Sequence, residues 1–265
     1  MIEQPLLPQT ALGYFEDAIT QKKPYLRLAG LRNCLENIVD TFFICLADEK
    51  KFDVKKWNRT NLHNKIEHLK SVFSLDIADS LHRLRSIGNK GAHHRDHAEL
   101  DTFEIDVAIQ EMSNICEAAI LAYFRKNGFE VSPWLPTVFS TLPPVYRVRI
   151  LEPLYSEQKS LLLLDKLAMA YLKAGDYNRS IYFIEQCHTA LEIDKEMRDD
   201  MVIKIDMLRK SLPYLPIAHD MKSAAQNLRA VLRVVEEKDM SLFITMVTAL
   251  VTGYECTTLQ GALKA

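Results

Sequence analysis

The stretch Leu81-His-Arg-Leu-Arg-Ser-Ile-Gly-Asn-Lys-Gly-Ala-His93 combines a helical pattern with a dense group of polar residues. Its first half continues a helix predicted over residues 76–86, and Gly88 is expected to end that helix. Residues 88–91 then predict a break before His93, because two glycines fall within four positions. The cationic, amide and imidazole side chains gathered here make this stretch the first candidate for a functional site.

Helical periodicity extends on both sides of this stretch. Apolar residues recur every three or four positions, which is typical of amphipathic helices packed on a shared core. Asp101 is the expected N-cap of the last of these helices, and Gly128 follows its end. The further predicted helices cover residues 10–22, 25–47, 60–73 and 100–126. The sequence therefore predicts an all-α protein whose N-terminal domain, residues 1–127, is a bundle of four or five helices.

Two motifs in this domain occur in a recognisable order. The first is Arg32-Asn-Cys-Leu-Glu36, and the second is the stretch 81–93. Together they resemble the HEPN superfamily, most closely a branch of unknown function. Its pattern is Arg-x-x-Leu-Glu followed by Leu-Arg-x-x-Gly-Asn-x-x-Ala-His. Residues 10–126 cover essentially the whole of that domain, and the resemblance implies an HEPN-like helical bundle that is often dimeric.

The resemblance also implies a chemistry. In the nuclease members of the superfamily, an Arg and a His face each other across a dimer and cleave RNA without a metal ion. His93 would then be the general acid/base, Arg85 the phosphate ligand and Asn89 an orienting group. An imidazole titrates near neutrality, and a guanidinium holds phosphate with paired hydrogen bonds. The further candidate binding residues are Arg32, Glu36, Arg83, Lys90 and His94.

A structural interpretation of the same residues stays open. Seven residues separate Arg85 from His93, more than the nuclease members leave between these two side chains. In the structural alternative Arg85 pairs with Glu36, Asn89 caps a helix end, and His93 bonds Arg32 or a backbone carbonyl. Such a polar network would fix the bundle without performing chemistry. Both interpretations predict that these five side chains converge on one side of the bundle.

The composition changes after residue 127. Residues 128–153 predict a linker without a regular helix, because prolines interrupt helices. The prolines concerned are Pro133, Pro136, Pro143, Pro144 and Pro153.

Residues 154–265 predict a C-terminal helical domain that begins with a helical hairpin near 160–194. This hairpin resembles one tetratricopeptide repeat. The residues that match the pattern are Leu167, Ala168, Tyr171, Gly175, Tyr177, Ser180 and Phe183. The aromatic residues of the hairpin either line a groove for a partner or pack between its two helices. Further helices are predicted near 195–212, 221–236 and 239–252.

Composition excludes several classes of function. The chain has 265 residues and a net charge of -2, so it carries no overall basic field for nucleic acid or anionic lipid. Its five scattered cysteines favour a reducing compartment, and we expect a cytoplasmic protein. The apolar stretch 242–251 is too short to span a bilayer, so no membrane association is expected. Phosphate-loop, GxSxG and HExxH motifs are absent from the sequence.

Two local clusters have competing interpretations. Residues His93, His94, Asp96, His97 and Glu99 offer metal-ligand side chains, but their spacing is that of a solvated loop, and we predict neither a metal ion nor a cofactor. Trp57 lies among Lys55, Lys56 and Arg59. Such a mixture is typical of single-stranded nucleic-acid binding, although a tryptophan in this position more often plugs the end of the bundle.

Two functions follow from these observations. The first is an interaction or adaptor protein built on the HEPN-like bundle. It would bind a protein partner through the C-terminal helices or a phosphate-containing ligand, and would form a homodimer through the N-terminal bundle. The alternative is a metal-independent, HEPN-like ribonuclease of a toxin or defence system, which uses Arg85 and His93 and takes RNA as its substrate.

Overall fold

A computed structural model describes residues 4–50, 54–70, 73–92 and 101–255 of the chain. These residues are helical or lie in turns and loops, and they contain no β-strand, which confirms the all-α prediction. The helices, numbered along the chain, are α1 (Gln9–Thr20), α2 (Pro24–Lys50), α3 (Val54–Arg59), α4 (Leu62–Leu69), α5 (Leu75–Ala92), α6 (Thr102–Asn127), α7 (Leu135–Phe139), α8 (Pro144–Glu157), α9 (Leu161–Lys173), α10 (Tyr177–Thr189), α11 (Lys195–Ser211), α12 (Met221–Leu232) and α13 (Leu242–Val251).

The chain divides into two compact units. Unit 1 combines Met1–Gly128 with Glu236–Ala265, and unit 2 is Phe129–Val235. In unit 1, helix α2 is central, because α1, α4, α5, α6 and α13 all pack against it. An apolar stripe with helical spacing explains this position. Its fully buried members are Leu31, Leu35, Ile38, Val39 and Phe42.

Local signals placed the ends of α6 correctly. The Asp101 side chain accepts a hydrogen bond from the Phe103 amide at 2.8 Å, as an N-cap does. Gly128 follows the helix with a φ of 86°.

Trp57 is only 2% exposed and stacks on the Phe43 ring, with 3.6 Å between ring centroids. It therefore plugs the bundle, and its face is not available to a nucleic-acid base.

The predicted end of the helix over residues 76–86 was wrong. Helix α5 does not stop near residue 86 but continues through Gly88 and Gly91 to Ala92. Both glycines lie where α5 approaches α2 most closely, so they serve helix packing rather than a helix break. Their contacts with α2 belong to the candidate site described below.

Unit 2 begins with the segment that the prolines were expected to keep free of helix, and this prediction was also wrong. Residues 144–157 form the 14-residue helix α8, and α7 precedes it. Pro136 and Pro144 lie in the first turns of their helices, where the missing N–H would have no intrahelical acceptor. Pro153 lies inside α8 and removes one hydrogen bond from the helix.

The predicted hairpin is formed by α9 and α10. Gly175 turns the chain with a φ of 89°, and the Asp176 side chain accepts a hydrogen bond from the Arg179 amide at 2.9 Å. Ser180 packs α10 closely on α9 and donates from its hydroxyl to the Ala168 carbonyl at 2.7 Å. Helix α8 packs against α9, α9 against α10, and α10 against α11.

Two of the four hairpin aromatics, Tyr171 and Phe183, pack internally. Phe183 makes edge contacts with Tyr155 and Tyr171, at 5.2 Å and 5.7 Å between ring centroids. Tyr177 donates to Asp206 at 2.7 Å, whereas Tyr182 is exposed. The hairpin therefore does not present its aromatic residues as one groove.

The last helix lies in a different unit from the one that the sequence predicted. Helix α13 packs on α2 in unit 1 rather than in a domain comprising residues 154–265. Its Phe243 is fully buried against Tyr123 and Phe124 of α6, with ring centroids 5.4 Å and 5.1 Å away. Within the described ranges, none of the helices combines the length and the apolar character that crossing a membrane requires.

Candidate ligand site on helices α2 and α5

The close approach of α2 and α5 depends on two glycines. A Cβ added at Gly91 would lie 2.6 Å from Cβ of Leu28 and 3.0 Å from the carbonyl oxygen of Tyr25. A Cβ added at Gly88 would lie 3.1 Å from Cβ of Arg32. At Gly91 only a residue without a side chain leaves room for α2, whereas a Cβ at Gly88 would require Arg32 to shift slightly. The two motif halves therefore meet through glycine contacts.

Arg32 joins the two motif halves chemically. Its Nε donates to Glu36 Oε1 at 2.7 Å, one turn along the same helix. Its Nη1 donates to the side-chain oxygen of Asn89 on α5. All three side chains are partly buried. Asn89 thus does not cap a helix end, as the structural alternative expected, but accepts from Arg32 within α5.

Arg85 lies one helical turn before Asn89 and is partly buried. The predicted pair between Arg85 and Glu36 is not formed, because Glu36 is bound to Arg32. Nε of Arg85 is buried and has no hydrogen-bond partner, and no ion pair of this guanidinium occurs in the part of the chain that the structure describes. An arginine stays charged at any physiological pH. Arg85 is therefore a partly buried cation, with no ion-pair partner among the described residues, beside a satisfied polar network.

The structure separates two of the candidate binding residues from this network. Arg83 pairs with Glu111 of α6, where Nε donates to Oε2 at 3.0 Å. Lys90 Nζ lies 2.7 Å and 2.6 Å from the two carboxylate oxygens of Glu104, also on α6. Both cations line an open groove of about 450 Å³ between α5 and α6.

The remaining candidates cannot be placed. His93 and His94 lie outside the described residues, as do Asp96, His97 and Glu99. Of the five side chains predicted to converge, the structure thus brings Arg32, Glu36 and Asn89 into direct contact. It places Arg85 one turn away on the same helix.

Sequence reasoning missed two features of unit 1. Glu117 of α6 is 7% exposed, and burial raises the pKa of its carboxyl to about 7. No sequence signal marks it, since only the packing of α6 reveals the burial. The second feature combines His63 and Glu67 of α4 with His82 of α5. The spacing of four between His63 and Glu67 was a usable signal, because it puts both on one helix face.

The chain is similar to one described family. The family model "Domain of unknown function (DUF4145)" matches residues 17–136, a range that contains both motifs. No curated protein and no solved structure matches the chain.

Proposed function

We propose that this protein is a helical interaction protein built on an HEPN-like bundle, and that its α2/α5 face binds a phosphate-containing ligand. The observation that carries the proposal is Arg85, a partly buried guanidinium whose buried Nε has no partner in the described chain. Burying a charge without a partner is costly, and an anionic ligand bound at Arg85 would offset that cost.

The surroundings of Arg85 favour phosphate. Arg32 and Glu36 compensate each other, and Asn89 is held by Arg32, so Arg85 is a positive charge that no described residue compensates. A guanidinium offers a planar fork of donors that matches the oxygens of a phosphate group. The Arg32 network would hold α5 in place while Arg85 binds the ligand.

A binding assay with matched variants tests this proposal. A short fluorescein-labelled single-stranded RNA is the probe, its anisotropy is the readout, and inorganic phosphate is the competitor. We expect Arg85→Ala to weaken binding at least about tenfold, since hydrogen bonds to charged groups contribute about 1.5–3 kcal/mol. Arg59→Ala is the control, because Arg59 is an exposed arginine of the same unit. Equal binding by wild type and Arg85→Ala would contradict the proposed site.

A metal-independent ribonuclease is the second candidate function. One observation favours it: helix α5 continues from Arg85 to Ala92, the residue before His93. The glycine break that the sequence predicted between Arg85 and Ala92 is therefore not formed. In this function His93 takes the proton of a ribose 2′-hydroxyl, Arg85 stabilises the charge on the phosphate, and Asn89 orients a donor.

Cleavage of labelled RNA in EDTA separates the two functions. The assay compares wild type, Arg85→Ala and His93→Ala, each checked for folding by circular dichroism. Cleavage that both folded variants lose would establish the ribonuclease. Binding without cleavage, lost in Arg85→Ala only, would support the interaction protein.

We propose the groove between α5 and α6 as a homodimer interface. Phe103 and Val107 line it and are 73% and 50% exposed, which is unusual for apolar residues on a helix of a bundle. Ion pairs made by Arg83 and Lys90 flank them, so both signs of charge face a second copy. We expect Phe103→Asp to convert a dimer to a monomer in analytical ultracentrifugation. Leu75→Asp, at an exposed leucine outside the groove, is the control.

We propose that the C-terminal helices bind a protein partner through α11, the helix that follows the tetratricopeptide-like hairpin in unit 2. Ile203 and Met207 lie one turn apart on α11, and both are largely exposed. Two exposed apolar side chains one turn apart can contact the apolar face of a partner helix. We expect Met207→Glu to abolish partner capture, with Arg85→Ala as a control that leaves it intact.

The free, buried cysteines Cys34, Cys116 and Cys187 support the further proposal of a cytoplasmic location.

A further inference from the structure

Helices α4 and α5 bring two imidazoles and a carboxylate together on the surface of unit 1. His63 and Glu67 lie one turn apart on α4, and His82 lies opposite them on α5. One ligand atom from each residue can be chosen so that all three lie within 4.8 Å of one another. We propose that His63, Glu67 and His82 bind a divalent transition-metal ion, a site that the sequence analysis did not predict.

Small rotations of the side chains would bring the three ligand atoms to the spacing of a metal site. Nε2 of His82 lies 2.6 Å from Oε1 of Glu67, and the rings of His63 and His82 lie 4.8 Å apart between centroids. Tetrahedral zinc has bonds of about 2.0–2.1 Å to nitrogen, which places its ligand atoms about 3.3 Å apart. His63 and Glu67 are exposed, so rotation about their side-chain bonds can supply the adjustment.

The ligand set selects the class of metal. Two imidazoles favour zinc, nickel, copper or iron over magnesium and calcium, which prefer oxygen ligands. Three protein ligands leave at least one position open for water or another small ligand. The helix face at His63 and Glu67 is solvent-exposed, so an ion can enter without any movement of the backbone.

Lys70 also faces the carboxylate. Its Nζ lies 2.8 Å from Glu67 Oε1, the same oxygen that contacts His82. A cation in this position competes with a metal ion for the carboxylate, because both need the same negative charge. The proposal therefore predicts that removal of the Lys70 charge tightens metal binding.

Isothermal titration of the full chain with zinc chloride tests the site. We expect His63→Ala, Glu67→Gln and His82→Ala each to remove one equivalent of bound zinc or to weaken it at least about tenfold. His68→Ala, an exposed histidine of the same helix, is the matched control and should bind as wild type. Zinc bound elsewhere in the chain is common to wild type and all four variants, so it does not affect the difference in bound zinc between them.

Circular dichroism, zinc titration of Lys70→Met and the effect of zinc on Tm complete the test. His63 is exposed, so His63→Ala should fold even if His82→Ala does not, and circular dichroism checks both. Lys70→Met should bind zinc several-fold more tightly than wild type. Zinc should raise the Tm of wild type and of His68→Ala but not that of His63→Ala. Unchanged zinc binding in His63→Ala, or weaker binding in Lys70→Met, would overturn the proposal. The readout is bound zinc, so it is independent of the phosphate-binding proposal.

Discussion

Arg32 of α2 donates a hydrogen bond to the side-chain oxygen of Asn89 of α5, which lies 57 positions later in the chain. Since Arg32 also holds Glu36, one guanidinium satisfies an acidic and an amide side chain at once. This contact fastens the two motif halves to each other. Arg32 also occupies the carboxylate of Glu36, so Arg85 has no anionic partner among the residues that the structure describes.

Loss of the Asn89 amide should destabilise unit 1. Asn89→Ala leaves the Nη1 donor of Arg32 unsatisfied in a partly buried site, and we expect a loss of about 1–3 kcal/mol in the free energy of unfolding. Urea denaturation measures it. Asn33→Ala, at an exposed position of α2, should change stability by less than about 0.5 kcal/mol. Equal effects of the two substitutions would contradict the structural role of the Arg32–Asn89 contact.

The glycines of α5 should resist substitution, whereas Gly13 of α1 should not. Gly91→Ala forces a methyl group to within 2.6 Å of Leu28, so we expect a loss of about 1–3 kcal/mol or more. Gly88→Ala, with its nearest contact at 3.1 Å, should cost less. Gly13→Ala meets nothing within 4 Å and should stabilise the helix by about 0.5–1 kcal/mol. Thermal and urea denaturation would show this order, and a tolerated Gly91→Ala would refute the tight packing.

Glu117 should make the stability of the fold depend on pH. Burial raises the pKa of its carboxyl from 4.5 to about 7. Between these values the unfolded chain releases the proton and the folded chain keeps it, so stability falls as the pH rises through this window. We expect the free energy of unfolding of Glu117→Gln to match that of wild type near pH 4.5 and to exceed it by about 3 kcal/mol above pH 7. Glu16→Gln, at an exposed position of α1, should show no such difference.

Replacement of Arg147 of α8 by an apolar residue should raise the free energy of unfolding. It is 5% exposed, its Nε has no hydrogen-bond partner within the described ranges, and burial lowers the pKa of its guanidinium to about 10. We expect Arg147→Met to stabilise the protein by about 1–3 kcal/mol, since it removes an unpaired buried charge and keeps the volume. Arg179→Met breaks an exposed pair with Glu152 and should change stability by less than about 1 kcal/mol. A strongly destabilised Arg147→Met would show that the charge has a partner in solution.

The sequence was sufficient for features that depend on local physics. Apolar periodicity predicted the long helices, and Asp101 and Gly128 predicted the ends of α6, because capping involves neighbours in the chain. The role of Gly91 could not be predicted in this way. A local rule treats glycine as a break, whereas its function here is set by Leu28, a residue of another helix. Pro144 was misjudged because its effect depends on its position within a helix.

The candidate site was predictable to a similar extent. The motif order correctly placed Arg32, Glu36 and Asn89 together, but it could not decide which cation Glu36 would bind. Arg83 was grouped with Arg85 by proximity in sequence. It nevertheless pairs with Glu111 of α6, because residues two apart on a helix point to different faces.

Unit 1 is closed by residues from both ends of the described chain. The Tyr254 hydroxyl donates to the Leu7 carbonyl at 2.6 Å across 247 positions, and α13 packs on α2. During synthesis on the ribosome, α2 therefore cannot contact α13 until the whole of unit 2 has been translated. Unit 2 uses contacts between consecutive helices and can fold in the meantime, whereas unit 1 keeps part of its core open. The nascent chain consequently exposes a hydrophobic surface that a chaperone would have to protect until α13 emerges.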